Sequence, residues 1–307
     1  MKNNFYYPSS DKLTQIHAIE WIPEGEIKAV LQISHGMVEY IDRYDRFARY
    51  LNENGIYVVG NDHLGHGESV VSDDKHGYFA KENGNWCVIE DINELRRITG
   101  EKYPDKPYFM LGHSMGSFLI RQYMMIYGQG LSGVIVMGTG SQPAATLKGA
   151  KAICKTLSAF KGWEHRSSFL NNMAFAAYNK KFEPARTRSD WLTKDEAIID
   201  SYNGDPWCSF IFTLNGFFNM FNGIEYIQNP SNIKNTPKDY PILLVSGADD
   251  PVGDFGKGVK TAYDAYIQNG ITNVEMKLYE NDRHELINET DYEKVYSDLK
   301  EWIEKGI

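Results

Sequence analysis

The segment that most directly suggests chemistry is Gly112-His113-Ser114-Met115-Gly116. It follows the apolar run 108–111 and precedes a helical pattern that ends at Tyr127, so the serine falls on a strand-to-helix turn. In that context G-x-S-x-G forms a nucleophile elbow, and the crowded turn needs residues without a Cβ atom on both sides of the serine. We therefore predict that Ser114 is a catalytic nucleophile. A glycine-rich turn without chemistry is the alternative interpretation.

A serine nucleophile needs a general base and an acid that orients this base. In elbow-type enzymes the acid comes next along the chain and the histidine comes last. Of the eight histidines, only His284 follows a late apolar strand pattern. The acid is expected after the apolar run 242–245, where Asp249 and Asp250 are adjacent. We predict Asp250 because Pro251 fixes the turn beyond it, and Asp249 is the alternative.

The negative charge that develops on a carbonyl oxygen in such a reaction needs backbone N–H donors. One predicted donor is Met115, the residue after the nucleophile. The other is expected in the loop after the predicted strand 28–34, and we assign it to Met37.

Short apolar runs alternate with helical patterns along most of the chain, which indicates an α/β fold with a mostly parallel sheet covered on both faces. Residues 14–22 alternate more strongly and predict an antiparallel edge strand. The carboxyl ends of such strands are where ligands bind, and Ser114 and the loop after Val245 fall there. The predicted strands cover 28–34, 56–59, 108–111, 133–137, 242–245 and 274–279, and the predicted helices cover 42–54, 87–100, 117–127, 262–269 and 292–305.

Residues 141–229 interrupt this alternation with helical patterns rich in aromatic residues. We predict a core formed by 1–140 and 230–307, with 141–229 inserted as a helical cap. The aromatic residues either cover an apolar substrate or attach the insertion to the sheet, and both roles stay open. They are Trp163, Phe169, Phe175, Tyr178, Trp191, Tyr202, Trp207, Phe210, Phe212, Phe217, Phe218 and Phe221.

Composition excludes several classes of protein. The net charge of −9 argues against a nucleic-acid surface, which needs a basic stripe. The first 21 residues lack the apolar segment of a signal peptide, and no apolar run approaches the ~20 residues of a membrane span, so we predict a cytoplasmic protein. Peripheral membrane contact and the oligomeric state stay open. The three cysteines are far apart and form no zinc pattern with histidines, so we predict neither a metal nor a cofactor.

Four motifs of the sequence are considered together. They are His35-Gly36-Met37-Val38-Glu39, Arg43-Tyr44, Asp62-His63-Leu64-Gly65-His66-Gly67-Glu68-Ser69 and Gly112-His113-Ser114-Met115-Gly116. Together they resemble the monoacylglycerol lipase and lysophospholipase group of serine α/β-hydrolases. The resemblance implies the α/β-hydrolase fold, a triad of Ser114, Asp250 and His284, and oxyanion donors at Met37 and Met115.

The same resemblance implies that Gly36, Glu39 and Arg43 bind substrate, with the last two lining a polar pocket for the glycerol head group. It implies a structural role for the segment 62–69, whose histidines are then neither catalytic nor metal-binding. The chain departs from the group at Ile287, where these enzymes carry a second histidine that helps to hold glycerol.

We therefore expect an ester hydrolase that acts on lipid-like substrates such as a monoacylglycerol or a lysophospholipid. An amide or peptide hydrolase of the aminopeptidase type is an alternative, because the insertion contains acidic residues that could bind a free amine. A ligand-binding module without catalysis is a second alternative, although all three triad residue types are present in the expected order.

Overall fold

The computed structural model describes all 307 residues and contains one eight-stranded sheet. The strand order is β1-β2-β4-β3-β5-β6-β7-β8, and β3 to β8 are parallel while β1 and β2 pair antiparallel. The strands are β1 Lys2–Pro8, β2 Gln15–Trp21, β3 Ala29–Ser34, β4 Ile56–Asn61, β5 Tyr108–His113, β6 Gly133–Met137, β7 Ile242–Gly247 and β8 Val274–Tyr279.

Ten α-helices accompany the sheet. They are α1 Asp45–Glu53, α2 Gly84–Lys102, α3 Met115–Tyr127, α4 Ala144–Lys161, α5 Ser168–Phe175, α6 Glu196–Gly204, α7 Leu214–Ile227, α8 Pro230–Ile233, α9 Lys257–Gln268 and α10 Tyr292–Glu304. None of them is long and apolar enough to cross a membrane.

Two hydrophobic cores cover the two faces of the sheet. In β3, for example, Leu31 and Ile33 belong to the core that includes residues of α1 and α10, whereas Val30 belongs to the core on the opposite face, with residues of α2, α3, α7 and α9. All six residues of β3 are buried, as expected for a strand covered on both sides. The parallel sheet then brings the loops that follow β3, β5, β7 and β8 to one edge.

The insertion lies between β6 and β7 and is helical. Its last long helix, α7, packs against the core helices α2 and α3, and the Asn215 side chain accepts a hydrogen bond from the Phe79 backbone (3.0 Å). The helices α4 to α6 precede it. Within the segment 141–229, α7 thus packs as a helix of the core layer, while α4 packs on α7 from outside.

The prediction of an α/β fold with a mostly parallel sheet is confirmed, and every predicted strand is present. The antiparallel strand expected over 14–22 exists as β2, but it is not at the edge. Residues 2–8 form an additional strand that pairs with β2 along its free side. The sequence analysis missed this strand because its polar residues alternate only weakly with apolar ones.

Candidate active site

Ser114 lies on the turn between β5 and α3. Its φ is 53° and its ψ is −119°, a strained conformation for a residue that is not glycine. The Ser114 backbone N–H donates to the Met137 carbonyl oxygen (3.0 Å), which fixes the turn to the neighbouring strand. The side chain stands at the N-terminus of a 13-residue helix, where the helix dipole favours developing negative charge.

The two glycines of the motif are required by close backbone approach. A Cβ atom at Gly112 would lie 2.3 Å from the Gly116 carbonyl oxygen. A Cβ atom at Gly116 would lie 2.0 Å from the Ser34 carbonyl oxygen, at the end of β3. Both atoms that block these positions belong to the backbone, so a side-chain rotation cannot relieve the overlap.

Replacing Gly116 with alanine should therefore destabilise the protein by about 3 kcal/mol or more, because helix α3 must move away from β3. Gly100→Ala in helix α2 is the matched control, since a Cβ atom there meets nothing within 4 Å. That variant should be stabilised by up to about 1 kcal/mol through its helix propensity. Urea unfolding midpoints of the two variants measure the difference, and equal midpoints would contradict the steric argument.

His284 and Asp250 are hydrogen-bonded to each other at the same edge of the sheet. The distance between Nδ1 of His284 and Oδ2 of Asp250 is 2.9 Å, and both residues are buried. The carboxylate also accepts bonds from the Val252 backbone N–H (2.8 Å) and the Ser246 hydroxyl (3.1 Å), which hold it in place. Because Nδ1 is occupied, Nε2 is the imidazole nitrogen left for a proton transfer.

The neighbouring carboxylate is placed differently. Asp249 pairs with Lys181 near the surface and has no contact with the imidazole. Its backbone N–H donates to the Asp282 carbonyl oxygen (2.9 Å), so the peptide and not the carboxylate joins the loop after β8.

Ser114 and His284 line one large cavity between the sheet edge and the insertion. Its volume is about 1240 Å³, and Gly36, Met37 and Met115 also line it. No hydrogen bond joins the Ser114 hydroxyl to His284 in the structure, as is common for catalytic groups before substrate binds.

The oxyanion loop, defined here as residues 36–38, is held from two sides. A carboxylate oxygen of Glu39 accepts the Gly36 backbone N–H, and the Tyr202 hydroxyl donates to the Val38 carbonyl oxygen (3.1 Å). The Met37 N–H itself donates to no group of the chain. Met115 is the first residue of α3, so its N–H has no acceptor one turn earlier in the helix. Both predicted donors are thus available beside Ser114.

The insertion, including α7, contributes apolar and aromatic side chains as well as polar ones to the cavity wall. The sequence analysis left two roles open for the aromatic residues, and the structure divides these residues between the core and the cavity wall. Phe212 and Phe217 are buried in the core, whereas six other aromatic residues line the cavity. These six are Phe175, Tyr178, Trp191, Tyr202, Phe210 and Phe221.

A buried charge cluster lies beside this cavity. Arg43 donates to Glu39 (2.8 Å) and, through both terminal nitrogens, to Glu285 (2.8 Å each). Burial by itself would raise the pKa of Glu39, but the hydrogen bond with His113 and the charge of Arg43 lower it below its usual range. Burial also opposes ionisation of Glu285, and Arg43 lowers the pKa of that carboxyl. Both carboxyls are therefore ionised at neutral pH.

His113 connects this charge cluster to the loop of His284. Its Nδ1 lies 3.2 Å from Glu39, and its Nε2 lies 3.2 Å from the His284 carbonyl oxygen. Burial would lower the pKa of His113, but Glu39 raises it above the ordinary value. His113, the residue between Gly112 and Ser114, therefore links Glu39 to the loop that carries His284.

The histidines of the segment 62–69 are packed behind the oxyanion loop. The His63 backbone N–H donates to Nε2 of His35 (2.9 Å), and Nε2 of His63 lies 2.9 Å from the Ser34 hydroxyl. Burial lowers the pKa of His35, His63 and His66, which keeps all three neutral at pH 7. No group of histidine, cysteine, aspartate or glutamate side chains is arranged to hold a metal ion.

The family model described as serine aminopeptidase, S33, matches residues 25–291. The chain belongs to this family. The match covers residues 36–38, the turn that carries Ser114 and the loops that carry Asp250 and His284.

The proteins to which this chain is similar include monoglyceride lipases. The mouse monoglyceride lipase is 27% identical over 303 residues, which cover 94% of this chain and 86% of that protein. The monoacylglycerol lipase of Mycolicibacterium smegmatis is 23% identical and covers 92% of this chain and 90% of that protein. A thermostable carboxyl esterase from Bacillus coagulans, solved in complex with glycerol, has a TM-score of 0.92 at 28% identity, covering 99% of this chain and 98% of that one.

These comparisons confirm the resemblance to the monoacylglycerol lipase group, the α/β-hydrolase fold and the prediction of an ester hydrolase. The structure also shows where Arg43 and Ile287 lie, which the motifs alone did not. Arg43, expected in the substrate pocket, lies behind Glu39 and lines a separate small cavity of about 240 Å³. Ile287, at the position of the second histidine, is buried in the hydrophobic core.

Two lining residues escaped the sequence analysis as site residues. Glu285 lines the large cavity. It follows His284 directly, and this adjacency in the sequence could have identified it as a candidate site residue. The Trp191 indole packs on the His284 imidazole with a centroid distance of 5.0 Å. Its segment is tied to the same loop, because the Glu285 backbone N–H donates to the Leu192 carbonyl oxygen (2.7 Å). No local pattern in the sequence indicates this long-range contact.

Proposed function

We propose that this protein hydrolyses carboxylic esters of a single fatty acyl chain with a small alcohol, as in a monoacylglycerol, through a triad of Ser114, His284 and Asp250. The observation that carries the proposal is the Asp250–His284 hydrogen bond on the wall of a cavity whose lining also includes the strained serine. Acyl transfer needs a buried acid that orients an imidazole, and a serine hydroxyl that faces the same cavity.

In the first half of the reaction the Ser114 hydroxyl oxygen attacks the ester carbonyl carbon, while Nε2 of His284 takes the hydroxyl proton. The oxygen of the tetrahedral intermediate carries the negative charge and binds the Met37 and Met115 N–H groups. Asp250 stabilises the imidazolium without taking its proton. His284 then donates the proton to the alcohol oxygen as the carbon–oxygen bond breaks, which leaves an acyl-enzyme.

In the second half a water molecule repeats the attack on the acyl-enzyme. His284 removes a proton from the water, the same two N–H groups bind the oxyanion, and the fatty acid leaves as the proton returns to the Ser114 oxygen. One water is consumed for each ester bond broken, and the protein ends in its starting protonation state.

The dimensions and composition of the cavity support a lipid-like acyl group. Its volume exceeds the range of about 300–1,000 Å³ that is usual for small-molecule pockets. Apolar side chains of α4, α5 and α7 form the wall opposite the core loops, among them Ile153, Phe175 and Phe221. Each CH₂ group buried there contributes about 0.8 kcal/mol of binding. The Bacillus coagulans esterase, which was solved with glycerol, supports a small polyol as the alcohol.

A substrate panel tests this function. The rate constant kcat/KM for 1-monoacylglycerols should rise about fourfold for each added CH₂ group, over chains of about four to twelve carbons, until the cavity is filled. The description of the family as aminopeptidases supports a second candidate, so the panel also includes leucine p-nitroanilide and a matched leucine ester. Faster cleavage of the anilide than of any acylglycerol would replace the ester proposal with the amide one, and a flat chain-length profile would remove the lipid-like substrate.

A further inference from the structure

The polar end of the cavity contains two ionised carboxylates and no free cation near them. Glu39 and Glu285 both line the cavity, and each is at most 4% exposed. They come from the loops on either side of Ser114, opposite the apolar wall. If the acyl chain occupies the apolar wall, as the proposed function requires, the alcohol of the ester faces these two side chains.

The one cation of this end is already bound. Arg43 uses its terminal nitrogens for three hydrogen bonds of 2.8 Å to the two carboxylates. One face of its guanidinium lies over the Tyr202 ring, with 4.9 Å between the guanidinium carbon and the ring centroid. The charge of the guanidinium is therefore already compensated by the two carboxylates, and Arg43 does not line the large cavity.

The balance of charge in this cluster is set by Glu285. Glu39 and Arg43 cancel each other, and Glu285 adds a second negative charge that only the neighbouring His113 can partly offset. Both Glu285 oxygens accept from Arg43, and Oε2 also accepts from the Asn288 side-chain amide (2.9 Å), which favours the ionised carboxylate. Like charges that are both removed from water repel one another strongly, because water screens them only weakly.

We propose that Glu285 is a specificity-determining residue that admits neutral polyol head groups and rejects anionic, phosphate-bearing ones. The inference rests on the proposed function and narrows it to uncharged alcohols. In this proposal the negative charge of Glu285 repels a phosphate group, and no additional contact with glycerol is needed. Repulsion of the unwanted ligand is a common way for a protein to distinguish two related substrates.

Two other cations line the cavity, both on the insertion. Arg186 is paired with Asp200 (2.7 Å), whereas Arg188 has no ion pair within the chain. Both side chains are exposed to solvent, where an ion pair contributes little. Arg188 is nevertheless the group that could bind a phosphate against this proposal, so it enters the experiment.

The test compares 1-octanoylglycerol with 1-octanoylglycerol-3-phosphate, two esters that share the acyl chain and differ by the phosphate. The measured quantity is the ratio of their kcat/KM values within each protein preparation, which does not depend on the fraction that is folded. The wild type should prefer the neutral ester by about 100-fold or more, and Glu285→Gln should reduce that preference by about tenfold.

Glu289→Gln is the matched control. Glu289 lies in the same loop and is buried, but it does not line the cavity, so its substitution should leave the ratio unchanged. A ratio that changes equally in both variants would show a general effect of the loop and would overturn the inference. An unchanged ratio in Glu285→Gln, or efficient hydrolysis of the phosphate ester that is lost in Arg188→Gln, would also overturn it.

The outcomes for the two proposals are distinct. Absence of hydrolysis of either ester by the wild type would contradict the proposed function itself. Hydrolysis of both esters at similar rates would leave the ester hydrolase in place and remove only the role of Glu285. A purely structural role of the Arg43–Glu285 pair would lower the rates for both esters by the same factor and leave their ratio constant.

Discussion

Replacing Ser114 with alanine should reduce kcat for a medium-chain monoacylglycerol by a factor of about 10⁴ to 10⁶. The proposed reaction has no other nucleophile at this position, so only the backbone donors and substrate binding would still assist hydrolysis by water. Because alanine is no larger than serine and is placed on the same turn, the melting temperature should change little. Initial rates under saturating substrate measure the loss.

A fluorophosphonate probe supplies an independent readout of the same variant. Such a probe forms a covalent bond with an activated serine, so it should label the wild type and not Ser114→Ala. Ser158→Ala, an exposed serine on α4, is the control and should be labelled like the wild type. Labelling that persists in Ser114→Ala would assign the activated serine to another position and would contradict the proposed triad.

The second large effect concerns the acid. Asp250→Asn should lower kcat by about 10⁴, because the asparagine amide would favour the wrong imidazole tautomer at His284 and would not stabilise the imidazolium. The side chain keeps its size and its bonds to the loop, so unfolding is not the expected cause. The same rate assay with the same monoacylglycerol measures the loss.

Asp249→Asn is the natural comparison, since the two residues are adjacent and undergo the same chemical change. Asp249 is partly exposed and pairs with Lys181, an ion pair of a kind that is worth about 0–1 kcal/mol. We expect its kcat to stay within about threefold of the wild type, because its carboxylate has no contact with His284. A large loss in Asp249→Asn together with normal activity in Asp250→Asn would exchange the two assignments.

The sequence analysis of the strands shows where local patterns are sufficient. Both faces are buried in β3, β5, β6 and β7. A strand of this kind has a continuous apolar sequence, which is why all four could be recognised. β1 was missed because it lies at the sheet edge, where only one of its sides packs and polar residues are tolerated. The ends of the helices differed from the prediction by a few residues, since capping and 3-10 turns depend on neighbouring segments.

The insertion shows where local patterns are insufficient. Its helices and aromatic residues are visible in the sequence, but the packing of α7 on α2 and α3 is not. In the sequence, helix α7 has the same helical pattern as α4 and α6. Only its contacts with α2 and α3 show that it packs as a core helix and not as part of the cap. The division into 1–140, 141–229 and 230–307 therefore stays a prediction from the sequence. Helix α7 lies within 141–229 but packs with the core helices.

Local chemistry explains why the family could be predicted, and why Ser114 and His284 could be proposed as the nucleophile and the base. Glycines around Ser114, the order of the residue types and the continuous apolar strands are each properties of short segments, and they are sufficient for an α/β-hydrolase with a mostly parallel sheet. Other features depend on distances between segments that are far apart in the sequence. Asp250 and not Asp249 contacts His284, Arg43 pairs with two carboxylates, and Glu285 and Trp191 line the cavity. Such distances are fixed only when the sheet, the loops and the insertion pack together, because a side chain's partners are chosen by the whole fold and not by its neighbours along the chain.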